Sequence, residues 1–188
     1  SGLPATTISV ASSTINGPTA PSTTAATTAS CPSGTTLVGG GALMGPNGTA
    51  QSIPSQKPVG SYPSDPSGST ATVSNPNSWT AVGNSGGQTG SSNFTTAFAL
   101  CASGLTVQTQ VVRTDDVGHP AGGGDANPGQ DPVATATATC PTGTTLLDGG
   151  MLADSSQPTG LQQGVHMRGD YPSDALANPA PDRPAPDS

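Results

Sequence analysis

This sequence predicts an all-β fold, two Ig-like β-sandwich units in tandem with the second incomplete, and three observations carry that reading. The first is composition: 26 Gly, 20 Pro and 50 Ser or Thr fill about half of 188 positions, which suits strands and turns and disfavours helices. The second is alternation, with Leu105, Val107, Thr109 and Val111 set against Thr106, Gln108 and Gln110, and Ala134, Ala136, Ala138 and Cys140 set against Thr135, Thr137 and Thr139. That is the period of half-buried strands. The third is an internal repeat, which decides architecture before any motif does.

The repeat has an offset of 109 residues. Cys31-Pro32-Ser33-Gly34-Thr35-Thr36-Leu37 returns as Cys140-Pro141-Thr142-Gly143-Thr144-Thr145-Leu146. Gly40-Gly41 returns as Gly149-Gly150, and Tyr62-Pro63-Ser64-Asp65 as Tyr171-Pro172-Ser173-Asp174. In all, 14 of 35 positions agree without a gap between 31–65 and 140–174. Two homologous units follow.

Taken in order, the chain divides into an N-terminal strand with a Pro/Thr linker (1–24), a first sandwich (25–102) and a second (103–188). Strands are expected near 5–12, 26–31, 35–44, 57–62, 70–74, 79–83, 93–101, 105–113, 133–140, 144–152 and 162–168, between clusters of Gly, Pro, Asn and Asp. The second unit stops at Ser188, before the equivalents of Trp79-Thr80-Ala81-Val82 and Phe98-Ala99-Leu100-Cys101-Ala102. It therefore lacks its last two strands. The 17–24, 118–132 and 178–188 stretches read as connectors, the last extended by Pro179, Pro181, Pro184 and Pro186.

The three cysteines follow from the same offset. Cys31 ends an early strand and Cys101 the final strand of unit one, so a Cys31–Cys101 disulfide closes the first sandwich. The matching partner of Cys140 falls beyond Ser188, leaving Cys140 free or paired outside this sequence.

Charge narrows the function. A net charge of −7 from eleven Asp, no Glu, one Lys (Lys57) and three Arg offers nothing to displace counterions from phosphates, which excludes nucleic acid as a partner. No run of 18 apolar residues is present, so no membrane partner is expected, and the Ser1 start without a basic, apolar leader reads as a processed, exported product. Leu, Ile, Val and Phe number only 26, so the core must be thin and helped by a covalent bond or by neighbours.

Each candidate site in the sequence also has a plainer role. Gly83-Asn84-Ser85-Gly86-Gly87 matches the nucleophile-elbow pattern, but His119 and His166 lie in the other unit, and the segment reads as a hairpin turn. Asp115, Asp116, Asp125, Asp131, Asp148 and Asp154 could offer oxygen to Ca²⁺ but lack EF-hand spacing, and read as solvated turns. Arg168-Gly169-Asp170 has Val59-Gly60-Ser61 in the matching place, so it is no feature of the unit. Trp79, Tyr62, Tyr171, Phe94 and Phe98 read as core. Asn47-Gly48-Thr49 and Asn93-Phe94-Thr95 fit the N-glycan acceptor, and the Thr/Ser/Pro stretch from 19 to 30 suits O-glycans. No catalytic residue, no metal and no cofactor is expected.

At the Cys-Pro-Ser/Thr-Gly-Thr-Thr-Leu block, the Tyr-Pro-Ser-Asp block and the Phe98-Ala99-Leu100-Cys101-Ala102 ending, the chain resembles repeat modules of exported proteins from actinobacteria and other environmental bacteria. Those motifs are structural, so the resemblance implies fold and export and no chemistry. In architecture alone, an N-terminal strand on a linker beside a sandwich short of strands is similar to donor-strand-exchanged pilus subunits. The expectation is a structural subunit of an extracellular fibre, its partners copies of itself in a linear or helical filament. Leu3, Ala5, Ile8 and Val10 would form the strand donated to a neighbour. The alternative is a tandem carbohydrate-binding or adhesive module of a larger secreted protein.

Overall fold

The computed structural model describes residues 6–20, 23–46, 57–69, 74–85, 93–105, 108–109, 111 and 136–153. Seven strands lie within them: β1 (Ile8–Asn16), β2 (Thr24–Ser30), β3 (Thr35–Pro46), β4 (Lys57–Ser64), β5 (Ser78–Asn84), β6 (Asn93–Ser103) and β7 (Met151–Leu152). No described residue is helical. All pairings are antiparallel, in a three-stranded sheet of order β1-β6-β3 and a four-stranded sheet of order β2-β5-β4-β7. The protein is a β-sandwich.

Small residues build the interface between the sheets. Ala97, Ala99 and Cys101 alternate on the inner face of β6 and meet Ala29, Leu37, Trp79 and Ala81, with Ala11 and Ala42 packed against the cluster. The larger Phe98 and Leu100 point the other way. Trp79 is the one large side chain of this core, 2 % exposed, and its ring lies directly on the backbone of β3. A Cβ on Gly40 would fall inside that ring, so β3 needs glycine there to let the sheets close.

The repeated Cys-Pro block makes the same turn in both copies. Thr35 N donates to Pro32 O at 3.2 Å with Gly34 at φ +82°, and Thr144 N donates to Pro141 O at 3.1 Å with Gly143 at φ +82°. A positive φ at the third position is a type II turn, which explains the glycine. The hydroxyls of Thr35 and Thr144 each add a 2.7 Å bond to the same carbonyls.

The first strand departs from expectation. β1 is built into its own sandwich, paired with β6 from Ile8↔Ala102 to Asn16↔Phe94, so Ile8 and Val10 are not on a projecting donor strand. Leu3 and Ala5 lie outside the described residues. The physical reason is register. The small Ala11 and Ser13 face inward, opposite Ala99 and Ala97, and Ser13 Oγ bonds Thr27 Oγ1 of the facing sheet at 2.8 Å. Shifting the inward set by one position turns Ile8 and Val10 to the outer face. The Gly17-Pro18 stretch carries the chain to the other sheet, and Gly17 O accepts the Thr95 hydroxyl at 3.0 Å.

After Ser103 the described residues contain only β7 as a strand. Residues 105, 108, 109 and 111, expected in one strand, and 136–140, expected in another, belong to none. In the first repeat the strand before Cys31 is held by β5, whereas no described residue is paired with 136–140 in a strand. Among the described residues, those from Leu146 onward group in one compact unit with those up to Val111.

Candidate functional site

Cys31 and Cys101 form a disulfide across the two sheets, and Cys140 is free, as the offset predicts. The bond sits in the Trp79 cluster, where Trp79 Nε1 donates to Ser61 Oγ at 3.0 Å. That bond satisfies the one polar atom of the indole at the core boundary.

Ser85 is a structural hydroxyl. It is buried, its Oγ donates to Ala20 O at 2.6 Å and accepts from Thr23 N at 3.2 Å, and its own N donates to Thr23 O at 3.1 Å. These bonds tie the end of β5 to the entry of β2. His119 and His166 lie outside the described residues, as do Asp115, Asp116, Asp125, Asp131, Asp154, Asn47, Tyr171 and 168–170. Among the described residues no three His, Cys, Asp or Glu side chains come together as metal ligands, and no helix is long and apolar enough to cross a membrane.

The outer face of the four-stranded sheet carries hydroxyls in place of apolar groups. Thr28 bonds Thr80 at 2.7 Å, Thr80 bonds Ser64 at 2.8 Å, and Ser30 bonds Ser78 at 2.9 Å. The turn at 65–69 folds over this ladder, with Gly68 beside Thr28 and Thr80 and its carbonyl accepting Tyr62 OH at 3.3 Å. Burial pushes the Tyr62 hydroxyl pKa up. Asp65 Oδ1 organises the turn, accepting Ser67 Oγ at 2.6 Å, Ser67 N at 2.8 Å and Ser69 N at 2.9 Å. The Ser67 hydroxyl foremost, then the Ser69 amide, holds the Asp65 carboxyl below the usual carboxylate range.

One arrangement lies beyond what sequence reasoning found. β7, in the second copy of the repeat, pairs with β4 of the first through Gly60↔Leu152 and Ser61↔Met151, and Ala153 N donates to Val59 O at 2.7 Å. Just before it, Asp148 Oδ2 accepts Gly40 N of β3 at 3.0 Å. A single segment thus satisfies open main-chain groups of both sheets along one flank. Gly150 allows it, because a Cβ there would strike Ser61 O and the Tyr62 backbone. The one signal in the sequence is that these residues repeat the Gly40-Gly41 region of β3. What the arrangement can do is strand addition: the β4 edge accepts a strand from another copy of the repeat.

The aromatics meanwhile form no exposed row among the described residues, with Trp79 and Tyr62 buried and Phe94 and Phe98 half-buried. Comparison of the chain with protein-family models, with curated proteins and with solved structures finds no match.

Proposed function

We propose that this chain is a structural subunit of an extracellular fibre whose Ig-like units are joined by β-strand donation. The strand given is the one around Met151–Leu152, and the acceptor is the β4 edge. The observation that carries this reading is the β7–β4 ladder, in which one copy of the repeat completes the sheet of another. A strand that completes a sheet within a chain completes the same sheet in a neighbour when the connecting segment crosses over. The contact is then head-to-tail and propagates. The disulfide supports an oxidising, extracellular setting. The alternative of a carbohydrate-binding or adhesive module asks for exposed aromatics, and burial of Trp79 and Tyr62 favours the fibre.

Negative-stain electron microscopy of the purified chain tests it. Wild type is expected to form filaments, and Gly150→Val, which blocks the approach of β7 to β4, is expected to lose them while keeping the disulfide and a buried Trp79. Wild-type protein that stays particulate, or filaments that persist in Gly150→Val, would overturn the reading.

A further inference from the structure

The two flanks of the sandwich are treated differently. On the β3/β4 side, open main-chain groups are met by Asp148 and β7. On the opposite side β1 is the edge of its sheet, and no described residue pairs with its outer margin. Thr7 O accepts Ser103 N at 2.9 Å, so the odd-numbered residues of β1 turn their N–H and C=O toward β6. By the alternation of an antiparallel ladder, Ile8, Val10, Ser12, Thr14 and Asn16 turn theirs outward.

Natural edge strands are protected by charge, proline, a bulge or brevity. β1 has none of these: its nine residues hold no charged residue and no Pro, and its register with β6 runs without a break. The even-numbered side chains also carry most of the exposed apolar surface of this sheet, with Ile8 55 % and Val10 62 % exposed beside Leu100 at 37 %, while Ile15 at 41 % lies on the other face. Charge selects the partner. The chain has a net charge of −7, yet among the described residues the only charged side chains are Lys57, Asp65 and Asp148, none on β1, β2, β3, β5 or β6. Among the described residues, therefore, no carboxylate of one copy's β1-β6-β3 sheet would face a carboxylate of the other at this flank.

We infer that β1 is a self-recognition edge: two copies pair β1 with β1 antiparallel about a two-fold axis at Ser12, joining two three-stranded sheets into one. This register places Ile8 opposite Asn16, Val10 opposite Thr14 and Ser12 opposite Ser12 of the second copy. The outward-facing main-chain groups all meet one another, giving about ten hydrogen bonds, and the exposed Ile8 and Val10 of both copies share one face. The contact is isologous and closes as a dimer. It goes beyond the fibre reading and does not depend on it.

The two-fold register makes a charge-swap test decisive. Ser12 is exposed, so neither Ser12→Lys nor Ser12→Glu disturbs the core, but each places two like charges face to face across the axis. In the Gly150→Val background, which keeps its fold but loses filaments, sedimentation equilibrium and native mass spectrometry are expected to find a dimer. Each variant alone should dimerise about fivefold or more weakly, and an equimolar mixture should recover dimers holding one chain of each kind. That recovery also shows that both variants are folded. Monomeric Gly150→Val protein, undiminished homodimers when either Ser12 substitution is added to it, or a mixture that fails to recover would each overturn the inference. Wild-type filaments with a monomeric Gly150→Val protein leave the fibre reading standing while this inference falls, and Gly150→Val dimers without wild-type filaments do the reverse.

Discussion

Removing the Cys31–Cys101 disulfide is the perturbation whose size the structure fixes best. The bond closes a sequence separation of 70 residues that includes β3, β4, β5 and most of β6 while leaving β1 and β2 outside. In the chain-entropy model a loop of that length restricts the unfolded chain by about 4 kcal/mol at 25 °C. Cys101 is fully buried and Cys31 nearly so, and a Cys31→Ala/Cys101→Ala double substitution adds about 1–2 kcal/mol for the sulfur volume lost from the core. The total is a large fraction of what a domain of this kind holds. Trp79 is the only Trp in the chain and lies in the same cluster, so its emission during urea unfolding reads the core directly. The variant is expected to unfold about 20 °C lower on heating, with a steeper denaturant dependence because its unfolded state is more open. A loss below about 1 kcal/mol with an unchanged slope would refute the reasoning, since the bond would then be constraining nothing that the fold does not already constrain.

Three further outcomes are expected. Gly40→Ala drives a methyl into the Trp79 ring and toward Phe98 O, which should cost about 2–3 kcal/mol by overpacking, measured by the same urea titration; a neutral result would mean that the sheets can part without penalty. Ser85→Ala leaves Ala20 O and Thr23 N without the Ser85 hydroxyl and should cost about 1–2 kcal/mol; enhanced exchange of the Thr23 amide would locate the loss, and unchanged exchange would count against the role given to Ser85. For Asp65 the folded-state pKa is lowered, so its stabilising effect is present above the unfolded pKa and fades as pH falls through the folded one. The Ser67 and Ser69 amide shifts should therefore titrate together with a midpoint below the ordinary carboxylate range. A midpoint at the ordinary value would remove Asp65 as organiser of the turn.

What the sequence made legible follows the repeat and the period of two. The Cys31–Cys101 pairing came from an offset that displaced the partner of Cys140, and the coordinates bear it out. Strands β2 to β6 came from alternation bounded by turn residues. The place of β1 in its own sandwich was not legible because apolarity is not the sign of burial here; this core selects for smallness, so Ala11, Ala97 and Ala99 go in while Ile8, Val10 and Leu100 stay out. In a sandwich whose sheets close onto a glycine and one indole, a larger inward side chain would hold them apart. The β7–β4 ladder was hidden for another reason. Nothing local distinguishes a segment that pairs with its own repeat from one that pairs with the other, and only tertiary structure decides it. Asp148, set among turn carboxylates by its spacing, instead accepts Gly40 N at the margin of β3.

The buried hydroxyls of the two sheets reach beyond local geometry. Where most sandwiches bury isopropyl and phenyl groups, this one buries Thr27, Thr80, Thr95, Thr96, Ser64 and Ser78 beside its alanines. Exposing apolar surface on unfolding raises heat capacity and exposing polar surface lowers it, so the two contributions here oppose each other more evenly than in an ordinary core. A small heat-capacity increment flattens the dependence of stability on temperature. Hydrogen bonds between hydroxyls do not fade on cooling as hydrophobic association does, so the fold should lose little when chilled, and that resistance to cold follows from these buried Thr and Ser residues.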